Sequence, residues 1–267
     1  MNYAELQKIF NRAFLHSFSK RKLLFAFIVL LCCGLLVVFS RGLATHAGQW
    51  TSMSLVFLPI FICTSLLLAM GVVLIRLYHD EVKKQDRSLK TVFTRSWELI
   101  IGTAYLTLPL ILLYILLWMV LGIFFLLREI PSLGSIIGVI LAFAPFLLIF
   151  GSLVLAFLNI ALLFFATPAI ALQQARRVIP NMFWRLKKDV LGNIILFVLA
   201  LIPMKIVASF LVLAAILTDM SYLPSETSLQ IVLQWFFIMV PFTLILSPAV
   251  VFFFNFAAEA HVLLRKS

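Results

Sequence analysis

The chain has 267 residues, of which 64% are hydrophobic and 12% are charged. Soluble domains carry about 25% charged residues, so the composition excludes a soluble globular protein. The net charge of +11 would suggest a nucleic-acid partner for a soluble protein. Here the basic residues flank apolar segments, which argues against nucleic acid and favours contact with anionic lipid headgroups.

Six apolar runs predict six transmembrane helices. Each has at least the roughly 17 residues that a membrane-spanning helix needs, and in hydrocarbon a helix satisfies its backbone hydrogen bonds internally. No alternating apolar pattern indicates a β-barrel. We predict an all-α, polytopic integral membrane protein with a single membrane domain over residues 1–267. The predicted spans are Leu23–Phe39, Ser54–Ile75, Leu99–Leu127, Ile136–Ala166, Val190–Leu217 and Ile231–Ala258.

Basic residues concentrate on alternate connections between the runs. Five Lys and Arg residues precede the first run, six lie between the second and third, five between the fourth and fifth, and two follow the last. The other connections contain only Arg41 and Arg128 as bases. Because bases near span ends remain on the cytoplasmic side, we predict a multi-pass protein of the cell (inner) membrane with both termini cytoplasmic. The first run, which follows 22 residues, is predicted to be a retained span and not a cleaved signal peptide.

An amphipathic segment precedes each odd-numbered span. Residues 6–14 and 89–97 share the spacing of their apolar and arginine positions, and residues 175–183 form a degenerate third copy. At helical period the apolar residues of the first copy lie on one face, which predicts a helix in the headgroup plane with that face toward lipid. The basic residues expected to anchor the chain where it enters the membrane are Lys20, Arg21 and Lys22.

These copies predict a threefold repeat of one interfacial helix and a two-span hairpin, over residues 1–78, 85–166 and 170–258. All three units keep the same orientation, unlike the inverted repeats of many transporters. Chance similarity among amphipathic segments is the alternative.

The stretch Phe164-Phe-Ala-Thr-Pro168-Ala-Ile-Ala-Leu172, followed by a basic amphipathic segment, resembles a family of uncharacterised six-helix bacterial membrane proteins. This family is similar to the membrane domain attached to some glycerophosphodiester phosphodiesterases. Gln173 and Gln174 stand where the family commonly has an acidic and a small residue. The resemblance implies the six-helix topology. It implies no catalytic residue, because the phosphodiesterase activity of those fusions belongs to a soluble domain that this sequence does not contain.

Two polar residues inside the runs are candidate contacts for a substrate or lipid. Lys205 is the only Lys or Arg within a run, and a charge at that depth is costly enough to suggest a function. Its alternative is snorkelling, in which the long side chain reaches the outer interface. Asn159 lies in the middle of the fourth run, where interhelical hydrogen bonding is the alternative to substrate contact; Asn193 and Asn255 are predicted to form such bonds.

Two further polar groups lie in the predicted cytoplasmic segments. The residues predicted to contact anionic lipid or a protein partner are Arg176, Arg177, Lys187 and Lys188. The cluster Tyr78-His79-Asp80-Glu81 puts an imidazole beside carboxylates, with Glu259 and His261 as potential partners. Adjacent residues do not share a helix face, so we favour a solvated loop over a metal or acid–base site.

Three classes of function remain compatible with the sequence. We favour a non-enzymatic membrane scaffold or membrane subunit of a complex, with the bilayer, anionic headgroups, and a protein partner or second copy as its contacts. The alternative is a transporter or permease subunit for a small or lipid-like substrate, and a lipid enzyme using the His79 region is least supported. No cofactor is predicted, since the sequence has no phosphate-loop, zinc-protease or nucleophile-elbow motif.

Overall fold

The computed structural model describes residues 3–44, 49–85, 87–128, 134–172, 190–217 and 228–266. Its regular structure is helical, with no strand among these residues. The elements in chain order are α1 (Tyr3–Leu15), a 3-10 turn (His16–Phe18), α2 (Lys20–Ala44), α3 (Gln49–Val82), α4 (Leu89–Arg128), α5 (Gly134–Leu172), α6 (Val190–Leu217) and α7 (Ser228–Lys266).

Six helices, α2 to α7, are long and apolar enough to cross a membrane. This confirms the predicted all-α class and the predicted number of spans. Most of the helices extend beyond the apolar runs: α3 continues to Val82, and α4 begins at Leu89. The charged flanks in these two helices contain no Gly or Pro, so nothing there interrupts the backbone hydrogen bonds.

Helix α3 is the centre of the bundle. It contacts α2, α4, α5 and α7, whereas α7 also packs against α2, α5 and α6. In the apolar span segment of α3, 61% of the residues are buried, compared with 12% in α4 and 17% in α6. The peripheral helices therefore turn long apolar faces outward, which suits a protein whose solvent is hydrocarbon.

Gly71 of α3 lies against side chains of α5 and α7. A Cβ atom added to Gly71 would lie 2.3 Å from ring Cε1 of Phe254 and 2.7 Å from Cγ2 of Thr167. Phe254 is 1% exposed and Thr167 is fully buried. Because neither neighbour has free space to move into, the packing of these three helices requires glycine at this position.

Helix α1 packs against the end of α7. Ile9 is buried, and the ring of Phe10 meets that of Phe252 edge-on, with 5.0 Å between the centroids. On the other part of the apolar face, Phe14 and Phe18 remain about half exposed. One part of the predicted apolar face therefore packs against the aromatic side chains of α7, and the other part is exposed at the surface of the bundle.

The predicted interfacial segments do not all form separate elements. α1 is a distinct helix, whereas residues 89–97 are the first turns of α4 and continue without a break into the span. The third copy, residues 175–183, lies outside the described residues. The threefold repeat stays a prediction.

Basic segments that are distant in the sequence meet at one end of the bundle. This end, which we call the basic end, is formed by α1, the start of α2, the end of α3, the start of α4, the end of α5 and the end of α7. Contacts there join Arg12 to Glu259 and Lys22 to Glu81. Arg41 lies at the other end of α2, with its guanidinium 4.1 Å from the ring centroid of Trp235.

Candidate functional site

A buried lysine marks the centre of the basic end. Lys22 is fully buried, and its ammonium donates a hydrogen bond of 2.6 Å to Oε2 of Glu81. The same carboxylate oxygen lies 3.4 Å from Nδ1 of His16. A buried ammonium is tolerated only with a close counter-charge, so Glu81 is what permits Lys22 to occupy this position. The prediction that Lys22 anchors the chain at the headgroups is therefore wrong.

A second ion pair lies beside the first. Arg12 of α1 donates a 2.6 Å hydrogen bond to Oε2 of Glu259 in α7, and the Tyr78 hydroxyl donates to the other carboxylate oxygen at 2.5 Å. Glu259 is 7% exposed and Tyr78 is 3% exposed. Hydrogen bonds in which the donor or the acceptor is ionised are the stronger ones in proteins.

The Tyr78 ring connects the two ion pairs. It lies 5.4 Å from the Lys22 ammonium and meets the His16 ring edge-on, with 5.7 Å between centroids. The Tyr78 side chain thus contacts groups from the 3-10 turn, α2 and α7. We name the six residues of this arrangement the terminal charge network; they are Arg12, His16, Lys22, Tyr78, Glu81 and Glu259.

A buried amide strengthens the attachment of α1. Nδ2 of Asn255 in α7 lies 3.3 Å from the Ala13 carbonyl oxygen and 3.4 Å from Oγ of Ser17, and donates to both. This confirms that Asn255 forms a contact between helices. Together with the aromatic packing of Phe10, it holds α1 on the bundle by apolar and polar contacts at once.

The contacts in this arrangement support a structural role. Both network carboxylates already accept hydrogen bonds from cations of neighbouring helices, and the buried members have little access to solvent. Such pairs gain little net stability over apolar residues but penalise any arrangement that separates them. The network therefore specifies where α1 docks.

Replacing Arg12 with Gln should loosen α1 from the bundle. The substitution removes the cation from Glu259 and leaves that carboxylate buried with the Tyr78 hydroxyl alone, a loss of about 1–3 kcal/mol for a hydrogen bond to a charged group. Hydrogen–deuterium exchange over residues 3–15 should accelerate, whereas the exposed Lys8→Gln control in the same helix should exchange at the wild-type rate. Equal protection in both variants would contradict the docking role.

The Tyr78–Glu81 cluster lies within α3, where Tyr78 is buried, so the prediction of a solvated loop is wrong. Its contacts also differ from those of the alternative acid–base hypothesis. Tyr78, and not His79, reaches Glu259, and Glu81 points to the same side as Tyr78 because residues three apart share a helix face. His79 and Asp80 instead line a cavity on another side of α3. The sequence located the relevant segment and named Glu259, but it assigned the contact to the wrong neighbour.

The two candidate substrate contacts lie in different environments. Lys205 has an exposed side chain on α6, beside the exposed apolar residues Ile202 and Ile206. Asn159 is 1% exposed in α5, and its Nδ2 donates to the Leu155 carbonyl of its own helix at 3.0 Å. Its Oδ1 is buried without a hydrogen-bond partner within the described part of the chain. With respect to the described residues, the amide of Asn159 thus bonds within α5 and not between helices.

Arg176, Arg177, Lys187 and Lys188 lie outside the described residues. Sequence reasoning missed Arg12, His16 and Lys22 as members of a buried network. One available signal was the three-residue spacing of Tyr78 and Glu81, which places an aromatic hydroxyl and a carboxylate on one helix face.

Comparisons with family models, curated proteins and solved structures find no match to this chain.

Proposed function

We propose that the chain is a non-enzymatic, multi-pass membrane protein that serves as a scaffold or as the membrane subunit of a complex. In this proposal it crosses the cell (inner) membrane six times, and the basic end with both termini faces the cytoplasm. The bilayer and its anionic headgroups are its main contacts, together with a protein partner or a second copy of the chain.

The terminal charge network is the observation that carries this proposal. Its part-buried ion pairs join α1 to α7 and α2 to α3, and the Tyr78 hydroxyl joins α3 to α7. These contacts occupy the carboxylates that a hydrolytic site would need. The result is a fixed platform at one end of the bundle, with Phe14 and Leu15 exposed along its edge. A helix held in this way suits the attachment of lipid or of a partner, because its apolar and basic side chains are ordered before binding.

The proposed threading rests on the distribution of bases. The basic residues of the N-terminal segment and of the connection between α3 and α4 gather at the same end as α1, as alternating cytoplasmic segments would. The likeness to the six-helix family with members fused to phosphodiesterases belongs to this proposal too, and it suggests a membrane domain that accompanies a separate activity.

Charge reversal tests the proposed lipid or partner surface. In the full-length protein, Arg176→Glu, Arg177→Glu, Lys187→Glu and Lys188→Glu together should lower the enrichment of phosphatidylglycerol over phosphatidylcholine, since each base near an anionic surface adds about 1 kcal/mol of attraction. Native mass spectrometry of protein from mixed-lipid nanodiscs measures that enrichment. Unchanged enrichment would reject the proposed surface.

The threading has its own test, which is cysteine labelling from outside intact cells. Labelling of Lys84→Cys or Lys187→Cys would reject the proposed cytoplasmic position of these segments.

A transporter or permease subunit is the second candidate function. It is favoured by side-chain oxygens of Ser152, Asn159 and Thr167 in α5, which are buried without hydrogen-bond partners among the described residues. Polar atoms of this kind in a membrane helix often face a water-filled path. The test measures solute flux into proteoliposomes. A flux that the Asn159→Leu substitution abolishes would favour a transporter over a scaffold, and Lys205 would then be a second contact to test.

A further inference from the structure

A cavity at the basic end is lined by three arginines together with acidic, polar and apolar residues. It has a volume of about 320 Å³ and lies between the end of α3, the first turns of α4 and the end of α5. Its ionisable lining residues are Arg76, His79, Asp80, Arg87 and Arg95. This volume is near the lower limit for ligand pockets, which suits a small anion or a headgroup.

Arg76 is held in place by the surrounding backbone. Its Nε donates to the Ala171 carbonyl oxygen at 3.3 Å, and its Nη1 donates to the Arg95 carbonyl oxygen at 3.1 Å and to Oγ of Ser96 at 2.9 Å. Nη2 makes no hydrogen bond to any described residue. The guanidinium is therefore oriented before a ligand arrives, with donors left for it.

The cavity has an excess of positive charge. Among the described carboxylates, only Asp80 pairs with one of its arginines, and its Oδ1 lies 3.7 Å from Nη1 of Arg87. That separation exceeds hydrogen-bonding distance, so the donors of Arg87 are not committed to Asp80. Among the described lining residues, three arginines against one aspartate leave two positive charges, which match a phosphate group in its anionic form.

The start of α4 adds to this field. α4 begins at Leu89, and Thr91 of its first turn lines the cavity beside Arg95. The amino-terminal end of a helix carries a partial positive charge that favours anions. Arginine side chains and a helix terminus thus converge on one space, from elements that the packing of α3, α4 and α5 holds together.

We propose that this cavity is a binding site for a phosphate-bearing anion, and that the side chains of Arg76, Arg87 and Arg95 bind it. Arginine suits this role because its planar fork can bind two phosphate oxygens at once. The source is either the headgroup of an anionic phospholipid or free phosphate. The site does not depend on the proposed scaffold function, since it requires only the contacts within the basic end.

The test uses the full-length protein with two probes. Inorganic phosphate is titrated by thermal shift in detergent against chloride at equal ionic strength, and phosphatidylglycerol binding is measured by native mass spectrometry from phosphatidylcholine nanodiscs. The double variant Arg87→Gln, Arg95→Gln should bind at least about tenfold more weakly, because hydrogen bonds between charged groups have that effect on affinity. Arg95→Lys keeps the positive charge but loses the planar guanidinium. Its affinity for each probe should lie between those of the wild type and the double variant.

Lys8→Gln is the matched control, since it removes one exposed charge from the same end of the bundle. Its affinities should equal those of the wild type. A response to inorganic phosphate assigns free phosphate, and a response to phosphatidylglycerol alone assigns the headgroup. The proposal is overturned if the wild type binds neither probe, or if the double variant binds as the wild type does. If the double variant does not fold, Arg95→Lys alone carries the same test.

Discussion

Replacing Glu81 with Gln should lower the free energy of unfolding by about 3 kcal/mol, because it leaves the fully buried Lys22 ammonium without its counter-charge. For a chain of this size that corresponds to a fall in the thermal midpoint of roughly 6–12 °C. Lys22→Met should cost less, since Glu81 is 32% exposed and can regain water. Circular dichroism during heating in mild detergent measures both.

The double variant Lys22→Met, Glu81→Gln separates the pair from its surroundings. Removing both charges should return most of the stability lost by Glu81→Gln, since apolar replacement of a buried ion pair is often nearly neutral. The exposed Glu98→Gln on α4 is the control and should leave the midpoint unchanged. A midpoint for Glu81→Gln equal to that of Glu98→Gln would show that Lys22 does not need this partner.

Replacing Gly71 with Ala should destabilise the bundle by about 1–3 kcal/mol, although alanine is the better helix former. The new Cβ would lie 2.3 Å from a ring carbon of Phe254, so α3 and α7 must move apart. Gly102 on α4 offers a matched control, because a Cβ there meets nothing within 4 Å. Gly102→Ala should be neutral or stabilising by up to about 1 kcal/mol.

A compensating change tests the cause of that loss. Phe254→Leu in the Gly71→Ala background reduces the side chain at the point of overlap and should recover part of the stability. If Gly71→Ala and Gly102→Ala shift the thermal midpoint alike, close packing at Gly71 is not what the position requires. Recovery by Phe254→Leu would instead tie the cost to this contact between α3 and α7.

Helix positions could be predicted from the sequence with useful accuracy, but the ends of the helices could not. The apolar runs located the six spans, because each run is long enough to need a membrane-sized helix. The polar continuation of α3 to Val82 and the early start of α4 at Leu89 fall outside those runs. Hydropathy reports where lipid contact ends, and backbone hydrogen bonding continues past that point.

The candidate site was predicted only in part. Glu259 and the Tyr78–Glu81 cluster were singled out as potential partners, and the structure does bring Tyr78 to Glu259. Lys22 was read as a headgroup anchor because it lies in a run of three bases. Its burial depends on Glu81, which is 59 positions away in the sequence. No local sequence pattern reveals a pairing between residues that far apart.

By itself, the sequence determined that the chain is all helical and has six segments suited to lipid, because hydrocarbon allows a polypeptide few ways to satisfy its backbone and that demand acts locally. The tertiary structure alone decided which charges are buried in pairs, which glycine the packing requires and which arginines share a cavity. Arg12 and Glu259 are separated by 247 positions. Contacts over such separations arise from the packing of whole helices, which the periodicity of a single segment does not encode.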